Sequence, residues 1–183
     1  VKSFIYTSAT PPDSGKTVFR SHTVTEADGY LYCNGSSSWS PSGCVIFSLR
    51  EDPTNPMYVG QFQPTPGNPS SNYIHDSYAR NDTLFGAAIY SGGGLYIADV
   101  HDKANPVVIT KIVYAGSGTH HAWRSTDGQY AFTTDEIGSS GQNLKVWDIS
   151  SLPSYSLVAT YRASPDEVIH NVHGRGNYLY VSH

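Results

Sequence analysis

The chain has 183 residues, 38% of them hydrophobic and 14% charged, which is one domain's length with enough apolar side chains to bury a core. Its net charge of −4, with no basic cluster, excludes a nucleic-acid footprint. No apolar run approaches the roughly 20 residues that carry a helix across a bilayer, and the 14 tyrosines, 17 glycines and 11 prolines suit aromatic strands broken by turns.

Residues 1–21 read as an extended segment, Ser3-Phe4-Ile5-Tyr6-Thr7, followed by a proline-bearing loop. A first full unit then begins at His22-Thr23-Val24-Thr25. It turns at Ala27-Asp28-Gly29 and continues through the strands Tyr30-Leu31-Tyr32-Cys33 and Cys44-Val45-Ile46-Phe47-Ser48-Leu49. The turn Asp52-Pro53-Thr54-Asn55-Pro56 leads to the closing strand Met57 to Phe62.

The second unit opens at His75 and uses Thr83 to Ile89, Leu95 to Val100 and Val107 to Val113, with Lys103-Ala104-Asn105-Pro106 at the turn. The third runs from His121 through Gln129 to Thr133, Leu144 to Ile149 and Leu157 to Tyr161. A fourth starts at His170 and reaches Asn177 to Val181. Taking His22, His75, His121 and His170 as equivalent gives spacings of 53, 46 and 49 residues. No segment sustains an apolar period of about 3.6 residues, so helix is expected to be minimal.

Four short strands per unit of about 40–50 residues is the arithmetic of a β-propeller. The expected fold is all-β: four-stranded antiparallel blades at 22–74, 75–119 and 120–169, a partial blade at 170–183, and the outer strand of a preceding blade within 1–21. Rings of this kind close with about 4–8 blades. About three and a half therefore predict a fragment of a larger ring, or an open arc that pairs its ends in an assembly.

The pattern is a histidine-led strand, then Gly-x-Tyr-x-Tyr or its like, then Leu-x-Ile-x-Asp-Val as in Leu95 to Val100, then an Asn-Pro turn as at Asn55-Pro56 and Asn105-Pro106. In that shared order the chain resembles the LVIVD-repeat propellers, and His75-Asp76 and His170-Asn171 resemble the choice-of-anchor B family within them. The resemblance spans residues 1–183 and implies a bacterial surface or secreted protein, exported and extracellular; it implies no particular reaction. Ser48 stands where the other units have Asp99 and Asp148. Val146-Trp147-Asp148 is similar to a WD-repeat propeller, but in that unit alone.

In a propeller the first strand of each blade lines the axis, so the histidines at its start gather around one channel mouth. This makes His22, His75, Asp76, His120, His121, Asp135, Glu136, His170, His173 and His183, with Trp39, the candidates for that face. A ring of neutral imidazoles with nearby carboxylates suits a divalent metal such as zinc, iron, copper or nickel, for which His75, His121 and His170 are the expected ligands. The alternative is structural, each histidine tying neighbouring blades together. Two functions follow: a binding or scaffold module that presents the channel face to a protein or small-molecule ligand, or a metal-dependent oxidoreductase or hydrolase.

Gly92-Gly93-Gly94 lies between strands and reads as a hairpin turn, not a phosphate cradle. Asp135-Glu136 is either an acid/base pair or a solvated loop pair. Tyr30, Tyr32, Tyr178 and Tyr180 are expected to pack between blades. Cys33 and Cys44 flank the 34–43 loop and are expected to face each other as a disulfide, in keeping with an oxidising compartment.

Overall fold

The computed structural model describes residues 5–9, 14–18, 20–36, 43–65, 73–90, 92–137, 143–162, 164 and 166–182. Among them every regular element is a strand, as the absence of a helical period predicts. The first four-stranded sheet holds β3 (Thr23–Ala27), β4 (Tyr30–Asn34), β5 (Cys44–Ser48) and β6 (Met57–Phe62). The second holds β7 (Asp76–Arg80), β8 (Thr83–Ala88), β9 (Gly94–Asp99) and β10 (Val107–Ile112). The third holds β11 (Thr119–Arg124), β12 (Tyr130–Asp135), β13 (Leu144–Asp148) and β14 (Ser156–Tyr161). Two-stranded sheets flank them: β1 (Tyr6–Thr7) with β2 (Thr17–Val18), and β15 (Val172–Arg175) with β16 (Tyr178–Val181). The segment 1–21 is therefore more than one extended strand, because residues beyond its loop pair back on Tyr6 and Thr7.

Pairing is antiparallel throughout, and local chemistry explains the turns. Asp28-Gly29 and Asn81-Asp82 join the first two strands of their sheets with positive φ at both residues. That geometry matches strand twist, and these residue types tolerate it. Before the fourth strand, Asp52 Oδ1 accepts from the Thr54 backbone N–H at 2.8 Å. Asp102 Oδ1 does the same from Ala104 at 2.9 Å, and each aspartate closes its turn without a helix. A bulge between the third and fourth strands recurs at Ile46/Phe47, Val108/Thr110 and Val146/Trp147, which adds twist at the same place in each sheet.

The sheets stack face on face in chain order. Tyr32, Cys44, Ile46 and Phe62 of the first meet Ile74, Leu84, Tyr96 and Ala98 of the second. Phe85, Leu95, Ile97 and Ile112 of the second meet Ala122, Ala131 and Trp147 of the third. Leu144 of the third meets Ile169 and Val172. β7, β8, β9 and most of β11 are buried, whereas β3 alternates between half-buried and exposed and β14 is exposed along its whole length. Approach is closest at Gly60, where a Cβ would lie 2.4 Å from the Lys103 carbonyl oxygen, so only glycine lets β6 pass the next sheet's turn. The buried Lys103 side chain seals that end, donating to Asp82 Oδ1 at 2.7 Å and lying 4.7 Å from the centre of the Tyr30 ring.

Two expectations are corrected. Cys33 and Cys44 are free thiols. In the β4–β5 register Cys33 opposes Val45 and Cys44 opposes Asn34, so the two cysteines are one residue out of step. Side chains alternate across a strand, and a one-residue offset sends them to opposite faces. Cys33 packs with Val18 and Phe47, and Cys44 packs with Tyr32 and Ile46. Tyr178 and Tyr180 are exposed, at 72% and 60%, because no described sheet covers the face of β16 that bears them; Tyr32 is buried and Tyr30 half-buried as expected.

Burial raises both thiols, Cys33 to about 11, which leaves little thiolate at neutral pH. A thiol reagent under non-reducing conditions is expected to titrate both cysteines in denaturant and neither promptly in the native chain. A mass lower by two hydrogens, with no thiols released, would instead mean that the strands pair in another register.

Candidate functional site

The starts of the first strands carry the histidines. His22 and His75 directly precede β3 and β7, and each donates its backbone N–H to the end of its neighbouring strand, at Asn34 and Ala87, both at 2.8 Å. His170 does likewise to Ser182 at 3.0 Å. In the third sheet the equivalent residue is His120. Thr119 pairs with Asp135 and His121 with Thr134, so His120 is the extra residue of a bulge and its ring swings into line with the others.

The result is a row of four imidazoles. Ring centres are 4.0 Å apart from His22 to His75, 4.5 Å from His75 to His120 and 5.1 Å from His120 to His170. Gly35, at φ +59°, closes over one end; a Cβ there would meet the Tyr73 hydroxyl at 2.7 Å and His22 Cβ at 2.9 Å.

Hydrogen bonding assigns the tautomers along the row. His75 Nδ1 lies 3.3 Å from the His120 carbonyl oxygen, and His120 Nδ1 lies 2.9 Å from that of His170. A carbonyl only accepts, so both rings carry their proton on Nδ1 and leave Nε2 with a free lone pair. Glu136, directly after β12, lies against the row: Oε2 is 3.8 Å from His120 Nε2 and Oε1 is 3.6 Å from His170 Nε2. Donor atoms of His75, His120 and Glu136 lie within 4.8 Å of one another. Burial, with His120 and His22 alongside, pushes the His75 pKa down to about 4, and burial lowers His120 as well, so both rings stay neutral at pH 7.

His121 is turned away from this row. The Val172 backbone N–H donates to its Nδ1 at 3.3 Å, which puts the ring proton on Nε2, 3.9 Å from Asp76 Oδ2. Burial outweighs Asp76 and lowers His121 to about 4. With one nitrogen occupied and the other protonated, His121 has no lone pair to offer, and the sequence's choice of His121 as a ligand passes to His120. His173 is exposed, with its ring centre 5.2 Å from those of His121, tilted, and Trp123, edge-on. His183 and Trp39 lie outside the described residues.

Asp76 is buried and ties several sheets at once. Its Oδ1 accepts from the Ser77 N–H at 2.8 Å and from the Thr23 hydroxyl at 2.9 Å, and its Oδ2 accepts from Asn171 Nδ2 at 3.4 Å. Asp135 is fully buried and sits behind Glu136 rather than beside the histidines. Lys145 donates to its Oδ2, and Tyr114 OH at 2.7 Å and the Gly118 N–H at 3.0 Å donate to its Oδ1. The Tyr114 proton being spent there, the Thr119 hydroxyl donates to Tyr114 at 2.6 Å. This network holds together the two strand ends that present His120 and Glu136. Lys145 and Tyr114 were missed in the sequence, as was the bond of the motif residue Asn171 to Asp76, although a lysine inside the apolar run Leu144 to Trp147 was a visible sign of a buried partner.

The chain matches no protein-family model, no curated protein and no solved structure. No helix among the described residues is long and apolar enough to cross a membrane.

Proposed function

We propose that the three four-stranded sheets are blades of a β-propeller of the LVIVD-repeat type, and that the module binds a ligand at the histidine row as an extracytoplasmic binding or scaffold unit. The observation that carries the architecture is the reach of Asp76. It bonds to Thr23 of the sheet before and, past the third sheet, to Asn171. A side chain contacts the next sheet but one only if the first strands curve around a common axis, as blades do. The adjacency of β3, β7, β11 and β15 in succession and the exposure of β14 support the same reading.

The row supports a binding face because its interior members are fixed while its end members are open. Inter-sheet bonds hold His75 and His120, whereas the His170 side chain is 44% exposed and His22 is exposed. Placement outside the cytoplasm rests on the family resemblance alone, since two unlinked cysteines give no sign of an oxidising compartment. A metal-dependent enzyme at the same row is the second reading, and the grouping of His75, His120 and Glu136 favours it.

A thermal-shift screen of ions, peptides and small polar molecules against the chain and its His22→Ala/His170→Ala double variant tests the binding face. Both residues can be truncated without opening the core. The expected result is a ligand class that raises the melting temperature of the chain but not of the variant. Equal shifts in both proteins for every stabilising ligand would end the reading.

A further inference from the structure

The binding-face reading leaves the ligand unnamed, and the donor set identifies its chemical class. Two imidazole nitrogens and one carboxylate converge, with a third imidazole, His170, against the same carboxylate. Both interior imidazoles are anchored through Nδ1–H to backbone carbonyls, at 3.3 and 2.9 Å. That outer bond orients a metal-binding histidine and sets which nitrogen is free. The carboxylate is anchored in turn through its strand: the Glu136 N–H donates to the Gly118 carbonyl at 3.1 Å, next to the Asp135, Tyr114 and Lys145 network.

We propose that His75, His120 and Glu136 bind a divalent first-row transition ion, with His170 supplying a fourth ligand. The proposal rests on the binding-face reading and deepens it.

Ligand type narrows the ion. Calcium and magnesium prefer sets made largely of oxygen, which this face lacks. Soft ions prefer sulfur, and both thiols are buried in the packing of the first sheet. Imidazole with carboxylate suits zinc and its first-row neighbours. Tetrahedral ligands at about 2.0–2.1 Å from an ion lie about 3.4 Å from one another. The separations of 3.6, 3.8 and up to 4.8 Å are wider than that. Closing them on an ion falls to the partly exposed side chains, Glu136 at 33% and His170 at 44%, rather than to the two buried rings. The two buried histidines then act as the anvil and Glu136 and His170 as the closure.

The test uses the untagged 183-residue chain, zinc chloride followed by calorimetry, and cobalt(II) followed by visible absorption. The expected result is saturable uptake of one zinc per chain and intense cobalt bands of a tetrahedral site. Glu136→Gln is expected to weaken zinc binding by at least ~10-fold and to erase the cobalt bands, while its metal-free melting temperature stays that of the parent. His170→Ala should weaken binding, and His101→Ala, an exposed histidine outside the row, should not. Absence of saturable uptake, or uptake equal in the Glu136→Gln and parent chains, overturns the proposal. The broader reading would survive that failure if an organic ligand still depends on His22 and His170, and both fall if neither zinc nor any other ligand does.

Discussion

Lowering the pH from 7 to 4 is expected to strip the metal-free chain of several kcal/mol of stability. His75 and His121 titrate near 4 in the folded chain against 6.5 for a free imidazole. The unfolded chain therefore takes up protons that the folded chain refuses, so stability is complete above about pH 6.5 and falls until about pH 4, where both forms are protonated. A shift of this size is worth about 3 kcal/mol per histidine, and the two do not simply add, because both sense His120. His22, His120, Tyr73 and Glu136 surround His75, and Asp76, His173 and His120 surround His121. Urea unfolding at intervals across this range measures the slope. His75→Asn, whose amide can still donate to the His120 carbonyl, should flatten it. A midpoint that does not move between pH 7 and 4.5 would mean that the rings are solvated.

The second large effect belongs to Lys145. Asp135 is fully buried and Lys145 nearly so, at 5%, and replacing Lys145 with methionine leaves a carboxylate without its cation in the core. Breaking such a pair from one side costs about 3–5 kcal/mol. Adding Asp135→Asn should restore at least half of that, since the amide oxygen still accepts from Tyr114 and Gly118 while the charge is gone. Urea denaturation of the parent, Lys145→Met and the double variant forms the measurement. A cost below ~1 kcal/mol for Lys145→Met would show that the pair is wet. The loss is expected to propagate to the histidine row, because the same network holds Thr119 beside His120 and Asp135 beside Glu136.

Strand content was open to reading because its causes are local. Short apolar runs such as Leu95 to Ala98, positive-φ turns at Asp28-Gly29 and Asn81-Asp82, and aspartate-led turns before β6 and β10 each act within a few residues. The disulfide expectation failed for a reason that is almost local: one residue of register decides which face a cysteine occupies, and loop symmetry around 34–43 does not carry that information. His120 and His121 show the same limit. Neighbours on a strand point opposite ways, and a single bulge opposite Thr134 and Asp135 chose which of them joined the row.

Composition and turn chemistry alone thus determined an all-β chain of hairpin-linked strands with histidines at the first-strand starts. Tertiary structure decided the rest: the tautomers of His75, His120 and His121, the pairing of Lys145 with Asp135, and the meeting of Asp76 with Asn171. These depend on contacts between residues 10 to 95 positions apart. The ring and Asp76 contacts come from how one sheet stacks on the next and the Lys145–Asp135 pair from neighbouring strands of one sheet, and no periodicity within a strand encodes either.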